Sequence, residues 1–382
     1  MVFAKLARTT VRVGLCVAAL YVVLRGVSVH DALWLRNETT LIGAVQEAGD
    51  TFRVSLVGGP TRVIPADEVQ TTPAGTLRVA YGLSTIWRHS EKWLMVAAVG
   101  VFLAIPFLQA LRLHWLLAAQ RVHLTFGESI RLAFAGNFMN FAAPLGSTAG
   151  DVFKAWYVSR RTPRGVEAGT TVFVDRAVGL GTLLLTVALV ALVNSGDARL
   201  IALRGQLFVL SGLLVGGVVV MLLPAVRNSR ALRGLVERLP RTSAIQKALR
   251  TTRELLASPG LLIGAMGVTF VLQVLAAGSF LLLALSLGFR VGPAEWVDLY
   301  AYFSSGEIVK AIPGPPQGLG TMELAYQYFF QNWAGASQIV SAAFAIRIVN
   351  LICALPGVVF VAGWSHARRG ETASASGALA TA

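Results

Sequence analysis

Six stretches of this chain run for about 20 residues each with almost no charge, at about 9–27, 94–111, 168–194, 206–224, 260–288 and 338–364. A helix of ~20 apolar residues rises far enough to cross a hydrocarbon layer roughly 30 Å thick, and it pairs its backbone groups internally where no water can. One soluble core does not hide that much apolar surface. Of 382 residues, 55 % are hydrophobic and 14 % charged, with a mean hydropathy of +0.65. The expected fold class is an all-α polytopic membrane protein with about six full transmembrane helices. An even number of spans returns both termini to one side.

Thirty-three Lys and Arg oppose nineteen Asp and Glu, a formal charge of +14, and their placement reads as an orientation signal. Lys5, Arg8 and Arg12 precede the first span. Arg112, Arg121 and Arg131 follow the second, and Arg160, Arg161 and Arg164 precede the third. Eight more lie between Arg227 and Arg253, and Arg368 and Arg369 follow the last span. Nineteen of the thirty-three thus fall on one side, which the positive-inside rule makes cytoplasmic. The expected location is the cell inner (plasma) membrane, multi-pass, with cytoplasmic N- and C-termini. Charge spread over separate loops suits anionic lipid and excludes a nucleic-acid face. Cys16 and Cys353 both lie in apolar stretches, and the five histidines lack metal-ligand spacing. No disulfide framework, metal or cofactor is therefore expected.

Residues 1–30 form an N-terminal transmembrane anchor, since the basic start and apolar run are followed by no convincing small-x-small cleavage site. Residues 31–90 are too polar for the bilayer and alternate in strand-like fashion at Leu41 to Gln46, Thr51 to Val57 and Arg62 to Ile64. Ala48-Gly49-Asp50 and Gly58-Gly59-Pro60 supply turns. A small extracytoplasmic β module follows, too short for a self-sufficient core and thus leaning on the membrane part; as a lid or spacer it is also where an envelope protein partner would dock. Residues 91–365 form the main transmembrane domain. Within it, 227–258 alternate Arg with apolar residues at helical spacing, as a cytoplasmic basic amphipathic segment. Residues 366–382 are small and polar, a disordered tail.

Two segments are too polar for ordinary spans and too apolar for ordinary loops. One runs from Ile130 to Tyr157 through Pro144 and Gly146, the other from Trp296 to Trp333 through Pro313, Pro315 and Pro316. Proline and glycine at this density forbid a continuous helix, and freed backbone groups survive at membrane depth only beside protein or a wet cavity. Both are expected as re-entrant or broken helical hairpins, entering from opposite faces. They also echo each other: Gly150-Asp151-Val152-Phe153-Lys154-Ala155 against Gly306-Glu307-Ile308-Val309-Lys310-Ala311. That pattern fits an inverted repeat with its site at the midplane.

Charges near the hydrocarbon need partners. The candidates are Asp151, Lys154, Asp175, Arg176, Glu307, Lys310, Glu323 and Arg347. The i,i+3 spacing puts Asp151 with Lys154, and Glu307 with Lys310, on one helical face. Such pairs serve equally as structural locks. Lys154, Arg176 and Arg347 are the stronger candidates for an anionic headgroup or phosphate. Asn137, Asn140 and Gln317 can donate to the same headgroup, although capping freed carbonyls is the simpler job for each. The aromatic run from Tyr300 to Trp333 reads as an interfacial belt and packing surface.

At these residues the chain resembles the lysylphosphatidylglycerol synthase transmembrane region, a flippase-like domain family, over about residues 90 to 365. The resemblance rests on Arg112 and Trp115 with the leucines that follow, Asn137 with Pro144 and Gly150 to Lys154, Asp175-Arg176, and Pro313, Pro316, Gly318, Gly320 and Glu323. Gln317 stands where the family usually has glycine, and Lys154 where arginine is common. The resemblance implies movement of a modified phospholipid between leaflets. The longest cytoplasmic loop, about 30 residues, has no room for an aminoacyltransferase, so the free-standing translocation half is implied.

The function expected is a lipid translocator acting on a phospholipid or lipid-linked anion through a cationic intramembrane cavity, with membrane lipids as partners. The alternatives are a membrane-embedded transferase on a polyprenyl-phosphate or phospholipid, with Asp151, Glu307 or Glu323 as base, and a non-transporting envelope scaffold. No nucleophile elbow, metal motif or P-loop favours an enzyme.

Overall fold

The computed structural model describes residues 30–48, 50–56, 58–70, 79–142, 148–193, 201–202, 205–213, 216, 243–311 and 318–362. In chain order these form strands β1 (Asp31–Trp34), β2 (Thr40–Ala48), β3 (Thr51–Leu56), β4 (Thr61–Pro65) and β5 (Val79–Ala80). Helices α1 (Leu83–His89), α2 (Lys92–Ala119), α3 (Phe126–Ala142), α4 (Ala149–Ser159) and α5 (Gly165–Val193) follow. The last are α6 (Ser243–Leu256), α7 (Pro259–Ser286), α8 (Trp296–Ala311), α9 (Thr321–Phe330) and α10 (Ala336–Ala354). Residues 205–213 and 356–362 are also helical.

Among the described residues four helices are long and apolar enough to cross a membrane: α2, α5, α7 and α10. They occupy four of the six apolar runs. Run 9–27 lies outside the described residues, as does most of run 206–224. Large apolar side chains such as Val96, Leu189, Ile263 and Phe270 stand exposed along these helices, the surface that lipid, and not water, would cover. Apolar run 94–111 proves too short. The helix continues to Ala119, so Arg112 lies inside a span and does not belong to the loop charge.

The chain divides into two compact units. One comprises residues up to Ala98 with Gly278–Val309 and Gly318–Ile348; the other comprises Val99–Ala277, Lys310–Gln317 and Val349–Ala382.

In the first unit, the alternation of residues 31–65 builds an antiparallel sheet in the order β4-β3-β2-β1-β5. Its inward pairs are Leu33 with Leu41, Val45 with Val54 and Phe52 with Ile64, and all six side chains are buried. Strands β2, β3 and β4 fall on the three alternating runs, whereas β1 and β5 lie outside them. Asp31 was unremarked in the sequence, yet it is fully buried. Its carboxyl accepts from the Val45 N–H at 2.7 Å, the Gly82 N–H at 2.6 Å and the Thr85 hydroxyl at 2.9 Å, fastening β1 to β2 and to the start of α1. Asp31→Ala strands two buried N–H groups, and each such loss costs ~1–3 kcal/mol. The expected result is faster proteolysis within residues 31–82 of the intact protein, measured by timed digestion. The same unit buries a ring cluster in which Phe280 lies 5.1 Å from both Phe303 and Tyr326 and 5.3 Å from Phe330. Tyr302, Phe303, Tyr326, Phe329 and Phe330 are core residues and not a belt. Tyr328 is exposed.

The second unit closes around Leu113, Leu117, Val122, Leu132, Val158 and Val172. Helix α3 starts with a reciprocal cap. The Thr125 N–H reaches the Glu128 carboxylate at 2.9 Å, while the Glu128 N–H meets the Thr125 hydroxyl at 3.2 Å. The Thr125 backbone donor is the main cause that holds the Glu128 carboxyl below the ordinary glutamate range. The expected basic amphipathic segment is a helix over Ser243–Leu256, docked by Leu255 onto Leu116 and Val174. Residues 227–242 and 363–382, the rest of that segment and the tail, lie outside the described residues.

Candidate functional site

The first polar segment contains helices α3 and α4, and the second contains α8 and α9. The residues between them, 143–147 and 312–317, with Pro144, Pro313, Pro316 and Gln317 among them, lie outside the described residues.

Within the second unit, α3 and α4 meet backbone to backbone. A Cβ added at Gly150 would lie 2.1 Å from the Gly136 carbonyl oxygen, and one at Gly136 would lie 2.8 Å from Lys154 Cε. Small residues permit this approach, and the aliphatic stem of Lys154 fills the groove over Gly136. Asn140 Oδ1 accepts from the Gly150 N–H at 2.7 Å, so it satisfies an orphan donor at the start of α4. Asn137 donates to Gln109 at 2.9 Å. Neither contact caps a backbone carbonyl: Asn137 donates to a side-chain amide, and Asn140 accepts from a backbone N–H.

This hairpin and α5 together assemble the buried charges. Lys154 Nζ lies 2.8 Å from Asp151 Oδ1, the pairing that i,i+3 spacing predicts. Arg176 Nε approaches Asp151 Oδ2 at 3.6 Å, and that buried oxygen has no hydrogen-bond partner. Asp175 turns the other way. It takes Arg112 as a fork, Nε to Oδ1 at 2.6 Å and Nη2 to Oδ2 at 3.0 Å, while Arg112 Nη1 reaches the Thr269 hydroxyl at 2.7 Å. Gly179 leaves the room this guanidinium occupies, since a Cβ there would lie 3.1 Å from Nη1. Three cations thus face two carboxylates. Arg176 is the member with the most open side chain, 31 % exposed against 13 % or less for the other four.

Arg112 was missed as a site residue because it sits at the edge of its apolar run. The legible signal was the resumption of that pattern at Leu113, Leu116 and Leu117, which carries the helix past the charge.

In the first unit the sequence supplied Glu323 and Arg347 without pairing them. The structure joins them: Arg347 Nη1 donates to Glu323 Oε1, and Nη2 donates to Oε2 at 2.9 Å and to the Gly318 carbonyl at 3.2 Å. Glu323 is fully buried and also accepts from the Gly320 N–H at 2.8 Å, capping α9 from within its first turn. Gly318 and Gly320 have φ of 63° and 87°, left-handed angles that a Cβ disfavours. The glycine-rich block therefore shapes the turn that delivers the carboxylate. Gly306 of α8 does the complementary job against α9, since a Cβ there would meet the Tyr326 ring at 2.1 Å.

Glu307 and Lys310 lie on the last turns of α8, half-buried. The six-residue echo does not mark equivalent places. Asp151 and Lys154 follow their break, in α4, whereas Glu307 and Lys310 precede theirs, in α8. In a repeat the motif would keep its position relative to the break.

The lysylphosphatidylglycerol synthase TM region family matches residues 80–357 of this chain, a stretch that holds both helix pairs with Arg112, Asp151, Lys154, Asp175, Arg176, Glu323 and Arg347. The chain belongs to that family. The part matched is the membrane region, and it begins at β5, inside the sheet. Within the matched stretch, the glycine-rich block forms the turn before Glu323, and Asp175 and Arg176 are neighbouring side chains with different partners. Comparison with curated proteins returned no match.

Proposed function

We propose that this protein is a lipid translocator that passes an anionic phospholipid or lipid-linked phosphate between leaflets of the inner membrane. The observation that carries this reading is the surplus of positive charge at Asp151, Lys154 and Arg176, beside the Arg112–Asp175 pair. The cluster is one cation in excess, and Arg176, its most open member, is met by Asp151 only at 3.6 Å. Asp151 pairs with Lys154 at 2.8 Å and with Arg176 at 3.6 Å. A headgroup phosphate competes for both cations, and Asp151 recovers them on release, so binding is reversible at the midplane instead of tight.

On this reading the helix pairs α3–α4 and α8–α9 admit the headgroup from the two leaflets. Glu323 and Arg347 anchor the second of them. The arginines around 121–131 and 160–164 lie on the cytoplasmic side. The likeness to a lysylphosphatidylglycerol synthase membrane region supports a phospholipid as cargo.

The test is reconstitution of the purified protein in liposomes carrying a fluorescent anionic phospholipid, with flipping read by quenching at the outer surface. Lys154→Ala is expected to slow movement at least ~10-fold, the scale of one lost charge-assisted contact, and Glu323→Gln to slow it as well. Lys247→Ala, on the exposed face of α6, is expected to match wild type. Equal rates for wild type, Lys154→Ala and Glu323→Gln would remove the proposal, and a covalently altered lipid in the vesicles would replace it with a membrane transferase.

A further inference from the structure

A second cationic site lies at the ends of α2 and α4. The loop after α2 and the loop from α4 to α5 enclose a cavity of about 270 Å³. Arg121, His123, Arg161 and Arg164 line it over an apolar floor that includes Val122 and Val158, both buried. Two of the three arginines are held in place by the protein. Arg161 lies 4.7 Å over the Tyr157 ring and 3.6 Å from Glu128, and Arg164 donates to the Gln120 carbonyl at 3.3 Å. Arg121 and His123 have no side-chain partner among the described residues.

The backbone at Arg121 adds an independent observation. Helix α2 ends in a Schellman turn, with Val122 N–H to Leu117 O at 3.0 Å and Arg121 N–H to Ala118 O at 2.9 Å. The left-handed position of that turn favours glycine, yet here it is an arginine with φ of 55°. A β-carbon in that conformation is a local cost, and strain of this kind is kept where a side chain has work to do. The side chain retained there is one that lines the cavity.

We propose that this cavity binds the phosphate of an anionic lipid headgroup, at a site separate from the buried charges of Asp151 and Asp175. The apolar floor suits a lipid better than a free ion. The surroundings agree: Trp156 and Phe126 are exposed nearby in sequence on α4 and α3, and Arg160 lies 5.1 Å over the Trp156 ring. Aromatic and basic residues together mark a membrane interface, and basic pockets at helix ends on that side are where headgroups dock. The site does not require that the protein transport anything.

Arg121→Gly is the decisive variant, because it removes the cation while relieving the backbone. Full-length wild type and variant in neutral detergent are titrated with phosphatidylglycerol, and separately with pyrophosphate against matched chloride, with binding read by native mass spectrometry and folding by melting temperature. The variant should melt at or above wild type and bind phosphatidylglycerol about 5-fold more weakly, the effect of one basic residue near a membrane surface. If pyrophosphate binding falls in the variant and phosphatidylglycerol binding does not, the lipid assignment is overturned in favour of a soluble phosphate. Equal binding of both probes by both proteins overturns the site altogether. Should Arg121→Gly melt lower, Arg121→Asn, which also tolerates the left-handed region, replaces it in the same titrations.

Discussion

Arg347→Ala is expected to destabilise the protein by about 3–5 kcal/mol, because it leaves a fully buried carboxylate without its cation. Glu323 would retain the Gly320 N–H, one neutral donor in place of a guanidinium fork. The Gly318 carbonyl would lose a donor at the same time. Arg347→Lys should recover only part of the loss, since an ammonium cannot reach both carboxylate oxygens and the carbonyl in one plane. The measurement is thermal unfolding of the detergent-solubilised protein, followed by loss of the monodisperse chromatographic peak. A variant that melts with wild type would mean the pair is not buried as described.

Arg112→Ala should cost a similar ~3–5 kcal/mol, with a second signature that identifies the cause. It strands Asp175 and removes a donor from the Thr269 hydroxyl. If the loss comes from an uncompensated charge, the double variant Arg112→Met with Asp175→Leu should regain most of it, because an apolar pair of similar volume carries no desolvation debt. Melting curves of the two single variants and the double variant decide. A double variant worse than both singles would show that the fork supports the fold through geometry and not through charge balance. The same double variant separates the two pairs functionally, since Lys154 and Arg176 would remain on Asp151.

The membrane class was legible from run length alone, as only hydrocarbon rewards twenty uncharged apolar residues in succession. The sheet was legible from strict alternation, and its three inward cross-strand pairs follow from that register. Asp151 with Lys154 was legible because an i,i+3 pair is a local fact. Glu323 with Arg347 was not, since 24 residues separate them and sequence spacing says nothing about which helices adjoin. Arg112 and Asp31 were hidden for opposite reasons. Arg112 reads as loop charge because it terminates an apolar run, and Asp31 carries no signal because nothing local reports that three distant donors converge on it. The echo between residues 150–155 and 306–311 misled because a six-residue likeness carries no information about which side of a break it occupies.

The long reach of Asp31 bears on where this small sheet can be cut from the chain. Its oxygen atoms are met from positions 14, 51 and 54 residues downstream, so strands 31–65 alone would leave the carboxyl with one of its three donors and β1 untethered on one side. An excised fragment needs to run through Thr85 at least, and ending it after α1 at His89 would give the isolated sheet its full set of ties. A shorter cut yields a hairpin stack whose central knot is missing.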